Sequence, residues 1–199
     1  SRVNAAHVSR VRGALACRNP GVFFPIMKRD GIKAGLSGIV HEINIKPTED
    51  ELVEIAGEAS KCARIFGVDP QVAFLSYSTH GSGKGEDVDK MRNAAQKARA
   101  KYPDLPIDGE LQFDAAVSPR VARTKCPESE VAGHANTFIF PDINAGNIGY
   151  KIAQRMGNFE AYGPILLGLN APVNDLSRGC NASEVYSMAI ITAALANNI

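Results

Sequence analysis

The chain of 199 residues contains no tryptophan, few cysteines and histidines, and almost no excess of either charge. Cys17, Cys62, Cys126 and Cys180 are scattered, with no CxxC pair and no Cys/His ligand spacing. Reduced thiols in a cytosol fit this pattern better than disulfides. His7, His41, His80 and His134 stand apart in sequence, which argues against a structural zinc site, and no metal is expected. Lys and Arg number 22 against 21 Asp and Glu. That balance marks neither a general nucleic-acid surface nor a membrane surface. No apolar run approaches the roughly 20 residues that a spanning helix needs. The opening residues lack a signal-peptide pattern, so a cytoplasmic setting is expected. Internal repeats and low-complexity segments are also absent from the sequence.

What is present is a regular alternation. "NAAHVSRVRGALA" reads as a helix closed by the turn at Asn19-Pro20-Gly21, and "VFFPIM" and "SGIVHEINI" read as short strands. Thr48, with Glu51 three residues on, opens a long helix that stops at Gly67. "QVAFLSY" is an uninterrupted apolar run, as in a strand buried on both faces. Helices follow over Glu86 to Lys101, Asp114 to Lys125, "AGNIGYKIAQRMG" and "NASEVYSMAIITAALANN", with strands at "DGELQF", "NTFIFP" and "GPILLGL" between them. Strands alternating with helices of this length predict an α/β fold, a three-layer α/β/α sandwich. The nearest thing to a boundary is the turn from Asn174 to Arg178.

Sites in open α/β sheets form beyond the carboxyl ends of strands, and four polar clusters occupy such places. In "SYSTHGSGKGED", backbone amides, the hydroxyls of Ser78 and Thr79, and Lys84 have the composition of an anion cradle. It is not a Walker A loop, since Gly85 follows Lys84 where Ser or Thr is required. A plain flexible connection accounts for the same residues. His80 reads as a ligand contact rather than a base. In "DGELQFDAA", Asp108, Glu110 and Asp114 suit helix capping first, with cation binding or pocket shaping as the other readings. In "FPDINAGNIGYKIAQR", Asn147 and Tyr150 lie beside Lys151 and Arg155, which share a helical face. Two adjacent cations suit a phosphate, while a solvated face is the commoner origin of any such pair. In "NDLSRGCNASE", Asn181 and Glu184 form a capping pair. Capping does not account for Ser177 and Arg178. A hydroxyl, a guanidinium and a carboxylate at a helix start are the parts that hold an acyl phosphate and move one proton. Cys180 reads as a core or bystander thiol.

The stretches "VAFLSYSTHGSGKGEDVDK", "DGELQFDAAVSPRVARTKCPESEVAGHANTFIFPDINAGNIGYKIAQR", "GPILLGLNAPVNDLSRGC" and "NIKPTEDELVEIA" together resemble the phosphate acetyl/butyryltransferase family, its acetyl-transferring branch most closely. The resemblance runs from about Lys46 to the C-terminus. It implies two α/β/α domains flanking a cleft, in the isocitrate/isopropylmalate dehydrogenase-like architecture. It also implies an incomplete first domain here, because the family's N-terminal portion has no counterpart in the chain. On that basis residues 1–20 belong to the first domain or an interdomain segment and residues 21–175 to the second domain. Residues 176–199 form a helix that normally packs into the first domain.

The reaction implied is acetyl-CoA plus phosphate giving acetyl phosphate plus CoA. It proceeds by direct attack in a ternary complex, with CoA as a substrate and no permanently bound cofactor. A homodimer is implied, with no nucleic-acid or membrane partner. By position, Ser177 and Arg178 match the family's active-site pair, and Glu184 falls where many members carry an Asp proposed as base for the CoA thiol. Arg155 matches an arginine of the cleft, and Arg12 matches one in a segment where Val8-Ser9 replaces the family's Ser-Thr. With Ser78, Thr79, Asn147, Tyr150 and Lys151, these two arginines make up the substrate-binding set. Butyryl transfer, or a non-catalytic acyl-CoA-sensing or oligomerising role, are the alternatives weighed.

Overall fold

The structure, a computed structural model, describes residues 45–157, 165, 166, 171–174, 176 and 180–197, and the backbone alone of strand residues 22–23, 26–29, 32–39, 160–162 and 167. The helix expected at "NAAHVSRVRGALA" lies outside these residues. Helix α1 (Glu49–Ile65) starts on the capping box foreseen at Thr48 and Glu51. It ends in a Schellman turn: Gly67 at φ 69° donates to the Arg64 carbonyl, and Val68 donates to that of Ala63. Helix α2 (Glu86–Lys101) has the expected bounds.

The sheet contains β1 (Val22–Phe23), β2 (Ile26–Arg29), β3 (Ile32–Ile39), β4 (Val72–Leu75), β5 (Ile107–Leu111), β6 (Thr137–Ile139), β7 (Glu160–Tyr162) and β8 (Leu166–Leu167). Its order is β5-β4-β6-β3-β1-β8, with β2 bridging β3 and β7. The strands β5, β4, β6 and β3 run parallel, while β1, β2, β7 and β8 pair antiparallel. The parallel half places four carboxyl ends along one edge, the arrangement that positions sites in such sheets.

Apolar clusters lie on both faces of the sheet. Val72 and Phe74 pack with α1, α2 and the last helix, α6 (Ala182–Ala196). Ala73, Leu75 and Phe138 pack with α3 (Phe113–Val117), α4 (Pro119–Lys125) and α5 (Ile143–Met156). Every residue of β4 is buried, as expected of a strand covered on both faces. The α/β/α layering follows.

Three local expectations change. The helix expected over Asp114 to Lys125 is two helices, broken at Ser118 (φ −108°, ψ 110°), because Pro119 excludes the helical conformation from the residue before it. Strand β3 begins five residues ahead of "SGIVHEINI" and ends within it. Among the described residues of "GPILLGL" the strand is the two-residue β8, and β7 precedes it.

Candidate functional site

The β4–α2 loop, Ser76 to Gly85, leaves the carboxyl end of β4. Seven of its ten amides are spent internally. The Ser76 amide donates to the Leu111 carbonyl at 2.8 Å and the His80 amide to the Glu110 carbonyl at 3.1 Å. Ser78, Thr79 and Gly83 donate to the hydroxyls of Ser76, Ser82 and Ser78, and Ser82 donates to the Thr79 carbonyl. Gly81 donates at 2.7 Å to Glu110 Oε1, the same atom that the Ser78 hydroxyl reaches at 2.9 Å. The anion in this loop is therefore the protein's own carboxylate.

Glu110 is 1 % exposed. Arg92 closes over it from α2, with Nε 2.9 Å from Oε2 and Nη2 3.3 Å from Oε1. Burial pushes this carboxyl up, but Arg92, the Gly81 amide and the Ser78 hydroxyl outweigh that and hold it below its ordinary value. Ser78 and Thr79 are both buried. The Thr79 hydroxyl bonds Gln112 through its side-chain oxygen and its amide.

Capping, the first reading of the acids in "DGELQFDAA", gives way for two of the three. Glu110 fills the loop, and Asp108 anchors a second cluster. Asp108 takes Arg99 at 3.0 Å and His80 Nε2 at 3.2 Å, and also bonds the Ser129 hydroxyl. Gln112, the N-cap of α3, makes no side-chain cap bond; Asp114, in the first turn, accepts from the Ala115 amide at 2.9 Å and pairs with Lys125 at 3.0 Å. A strand interior leaves an acid no helical amide to cap, so each buried carboxylate needs a cation of its own. Beside the Asp108 cluster, a cavity of about 510 Å³ opens along β5; His80, the ligand contact foreseen in the sequence, lines it with Arg99 and Asp108, while none of the residues expected in the catalytic or substrate-binding set does.

The third cluster is carried by α5, capped by Asp142, which accepts from the Ala145 amide at 2.9 Å. Gly149 lets the helix lie close, since a Cβ there would stand 3.1 Å from the Phe140 ring. Asn147, Lys151 and Arg155 are exposed on one stripe at i, i+4 and i+8, and Lys151 Nζ sits 4.9 Å over the half-buried Tyr150 ring. These four predicted residues are brought together. From α2, Lys90 Nζ donates to the Pro141 carbonyl at 3.0 Å, tying that helix to the start of α5.

In the fourth cluster the foreseen capping box is present. Asn181 caps α6, and Glu184 Oε2 accepts from the Asn181 amide at 2.9 Å. Asn174 holds the other side of the stretch, bonding the Leu166 amide at 2.9 Å and the Thr192 hydroxyl at 2.8 Å, and Leu176 packs on the core. Ser177, Arg178 and Arg12 lie outside the described residues. Among the described residues, no group of His, Cys, Asp or Glu has a metal-holding arrangement, and no helix is long and apolar enough to cross a membrane.

Sequence reasoning missed Arg92. A signal for its partner existed, because Glu110 sits in a strand of the sheet, and a carboxylate buried there requires a cation. Which cation, eighteen positions away, is set by how α2 packs.

Residues 41–193 match the family described as Phosphate acetyl/butaryl transferase. The phosphate acetyltransferase of Bacillus subtilis (strain 168) is 58% identical over 154 residues, which is 77% of this chain and 48% of that protein. The phosphate acetyltransferase of Staphylococcus aureus (strain MSSA476) is 50% identical over 185 residues, 90% of this chain and 55% of that one. The crystal structure of a phosphotransacetylase from Streptococcus pyogenes matches with a TM-score of 0.84 at 55% identity, covering 92% of this chain and 55% of its own. A branched-chain phosphotransacylase from Enterococcus faecalis V583 shares the fold, with a TM-score of 0.71 at 21% identity over 96% of this chain and 67% of that one. The chain spans about half the length of the curated relatives it matches. With its motifs in order and its sheet, caps and α5 cluster in place, the chain belongs to the phosphate acetyl/butyryl transferase family.

Proposed function

We propose that this chain carries the second domain and closing helix of a phosphate acetyltransferase that acts in the cytoplasm and interconverts acetyl-CoA plus phosphate with acetyl phosphate plus CoA. The observation that carries the reading is its 58% and 50% identity to proteins of that name, within a family match that takes in Arg155, Ser177, Arg178 and Glu184. In the forward direction a phosphate oxygen attacks the thioester carbonyl, the C–S bond breaks, and CoA leaves as the thiolate. Arg155 and Arg178 hold the phosphate oxygens, and Arg178 with Ser177 stabilises the oxyanion. In reverse, Glu184 accepts the CoA thiol proton, because a free thiol with a pKa of about 8.5 is scarcely ionised at neutral pH. Its capping bond fixes one carboxylate oxygen and leaves the other to accept that proton. Lys151, Tyr150 and Asn147 extend the anion-facing surface of α5. Ser78 and Thr79 shape the neighbouring loop, and Arg12 completes the cleft from the first domain. No resident cofactor or metal is part of this scheme, and neither nucleic acid nor membrane is a partner.

A homodimer goes with this reading. Ile148, Ile152 and Met156 form an exposed apolar stripe on α5, and Met156 is 84 % exposed. Phe113 and Val117 are exposed on α3 in the same layer. Val185, Tyr186 and Ile190, exposed on α6, form the face that the rest of the first domain covers.

The test is thiol release from acetyl-CoA in phosphate buffer, with Arg155→Ala and Arg178→Ala beside the unmodified protein. Each substitution is expected to lower turnover by about 10²–10³-fold. Near-normal turnover in both would overturn the assignment.

A further inference from the structure

We propose that Glu110 is a positioning residue: its buried carboxylate fills the amide-lined turn of the β4–α2 loop and, through Arg92 and α2, fixes that loop against the start of α5. This goes beyond the residues assigned above and rests on the reading that the carboxyl edge of the parallel strands carries the site.

Three observations converge on it. Glu110 Oε1 receives the Gly81 amide and the Ser78 hydroxyl, so one atom sets the path of the loop over residues 78–81. The same carboxylate receives two nitrogens of Arg92, whose third bond, Nη1 to Asp89 at 3.0 Å, orients the guanidinium on its own helix. Two residues before Arg92, Lys90 spans from the same helix to the Pro141 carbonyl, one residue ahead of the α5 cap. The ends of β4, β5 and β6 are thereby linked through one helix, and Glu110 is the ionised member of that chain that is fully buried, 1 % exposed beside the equally buried Ser78.

With Gly81 and Ser78 already holding an internal anion, the loop does not receive the substrate phosphate on those groups. That phosphate falls to the cationic stripe of α5. What Glu110 contributes is the fixed shape of the facing wall, and misplacing a wall of a reaction site by about 1 Å costs up to about a hundredfold in rate.

The test uses the full chain with Glu110→Ala, assayed with and without added formate, which is small enough to enter the space left by the side chain and restore the charge. Glu110→Gln, which keeps the shape and removes the charge, guards against a variant that fails to fold. Amide exchange at Gly81 and Gly83 reads the loop directly, and acetyl phosphate binding by calorimetry reads the site. Faster exchange in both variants is expected, with affinity falling about tenfold or more. Formate should restore exchange protection and affinity together in Glu110→Ala. Unchanged exchange at Gly81 overturns the positioning role whatever happens to binding. Faster exchange with unchanged affinity overturns its relevance to the site. If the unmodified chain binds no acetyl phosphate while the loop still responds to formate, the positioning role stands and the functional reading fails.

Discussion

Glycine at position 109 is a sharp test of how the β4–β5 pair is built. Its φ is +156°, and a Cβ there would lie 2.6 Å from the Phe74 Cβ and 3.0 Å from the Phe74 carbonyl oxygen. Both strands are buried, and the register steps beside this position, between Phe74 and Leu75, so relaxation must move core backbone. Backbone strain for a side chain at such a φ costs about 1–3 kcal/mol, and overpacking a tight core costs about 1–3 kcal/mol more. Gly109→Ala should therefore lose about 2–6 kcal/mol. Gly81→Ala is the control, because Gly81 has φ +86° but nothing within 4 Å of its Cβ position. It should show the strain alone, about 1–3 kcal/mol, without the overpacking. Gly133→Ala, at φ +83° and with the Pro119 Cα 2.8 Å away, should resemble Gly109→Ala. Urea unfolding followed by circular dichroism measures all three, with the midpoint moving at constant slope. If Gly109→Ala and Gly81→Ala unfold within experimental error of each other, steric exclusion by Phe74 is not what holds glycine at 109.

The remaining predictions concern charge, thiols, capping and assembly. Because Glu110 is held below its ordinary pKa, its contribution to stability is fully present above about pH 4.3 and is lost as pH falls through the lower folded value. Glu110→Gln should flatten the acid limb of a stability-against-pH curve, and an unchanged limb would contradict the pairing with Arg92. Burial pushes the Cys62 thiol up to about 12, so in the native protein at pH 8 iodoacetamide should label the half-buried Cys180 well ahead of Cys62, as read by peptide mass spectrometry. Thr48→Ala removes the side chain that accepts from the Glu51 amide and should cost about 1 kcal/mol in thermal or urea unfolding. Ile152→Glu places a charge in the exposed α5 stripe, and sedimentation should show a dimer becoming monomer. A dimer that survives would put the interface elsewhere.

Local features read well because their causes are local. The capping boxes of α1 and α6 each satisfy their amides within four residues, so Thr48-Glu51 and Asn181-Glu184 announce them. The apolar run of β4 announces a strand covered on both faces. Pro119 carried the signal for the break at Ser118, which the helical run around it obscured. Site features are less legible. Asp108 and Glu110 read as helix caps, because spacing cannot show that Arg99 and Arg92 return over the strand from α2. In "STHGSGKG", Ser78 and Gly81 hold the Glu110 carboxylate, a partner about thirty positions away that residue types in the loop could not reveal.

The sequence alone determined the α/β alternation, the capping boxes of α1 and α6 and the α5 stripe of Asn147, Lys151 and Arg155, since each depends on periodicity or on residues within a few turns of one another, and its motifs in order marked the family. Tertiary structure alone decided what the buried carboxylates hold, which glycines admit no side chain, and which helix joins the strand ends. Those outcomes depend on groups far apart in the chain that meet only when α2 packs across β4 and β5, where burial makes an unpaired charge too costly to persist.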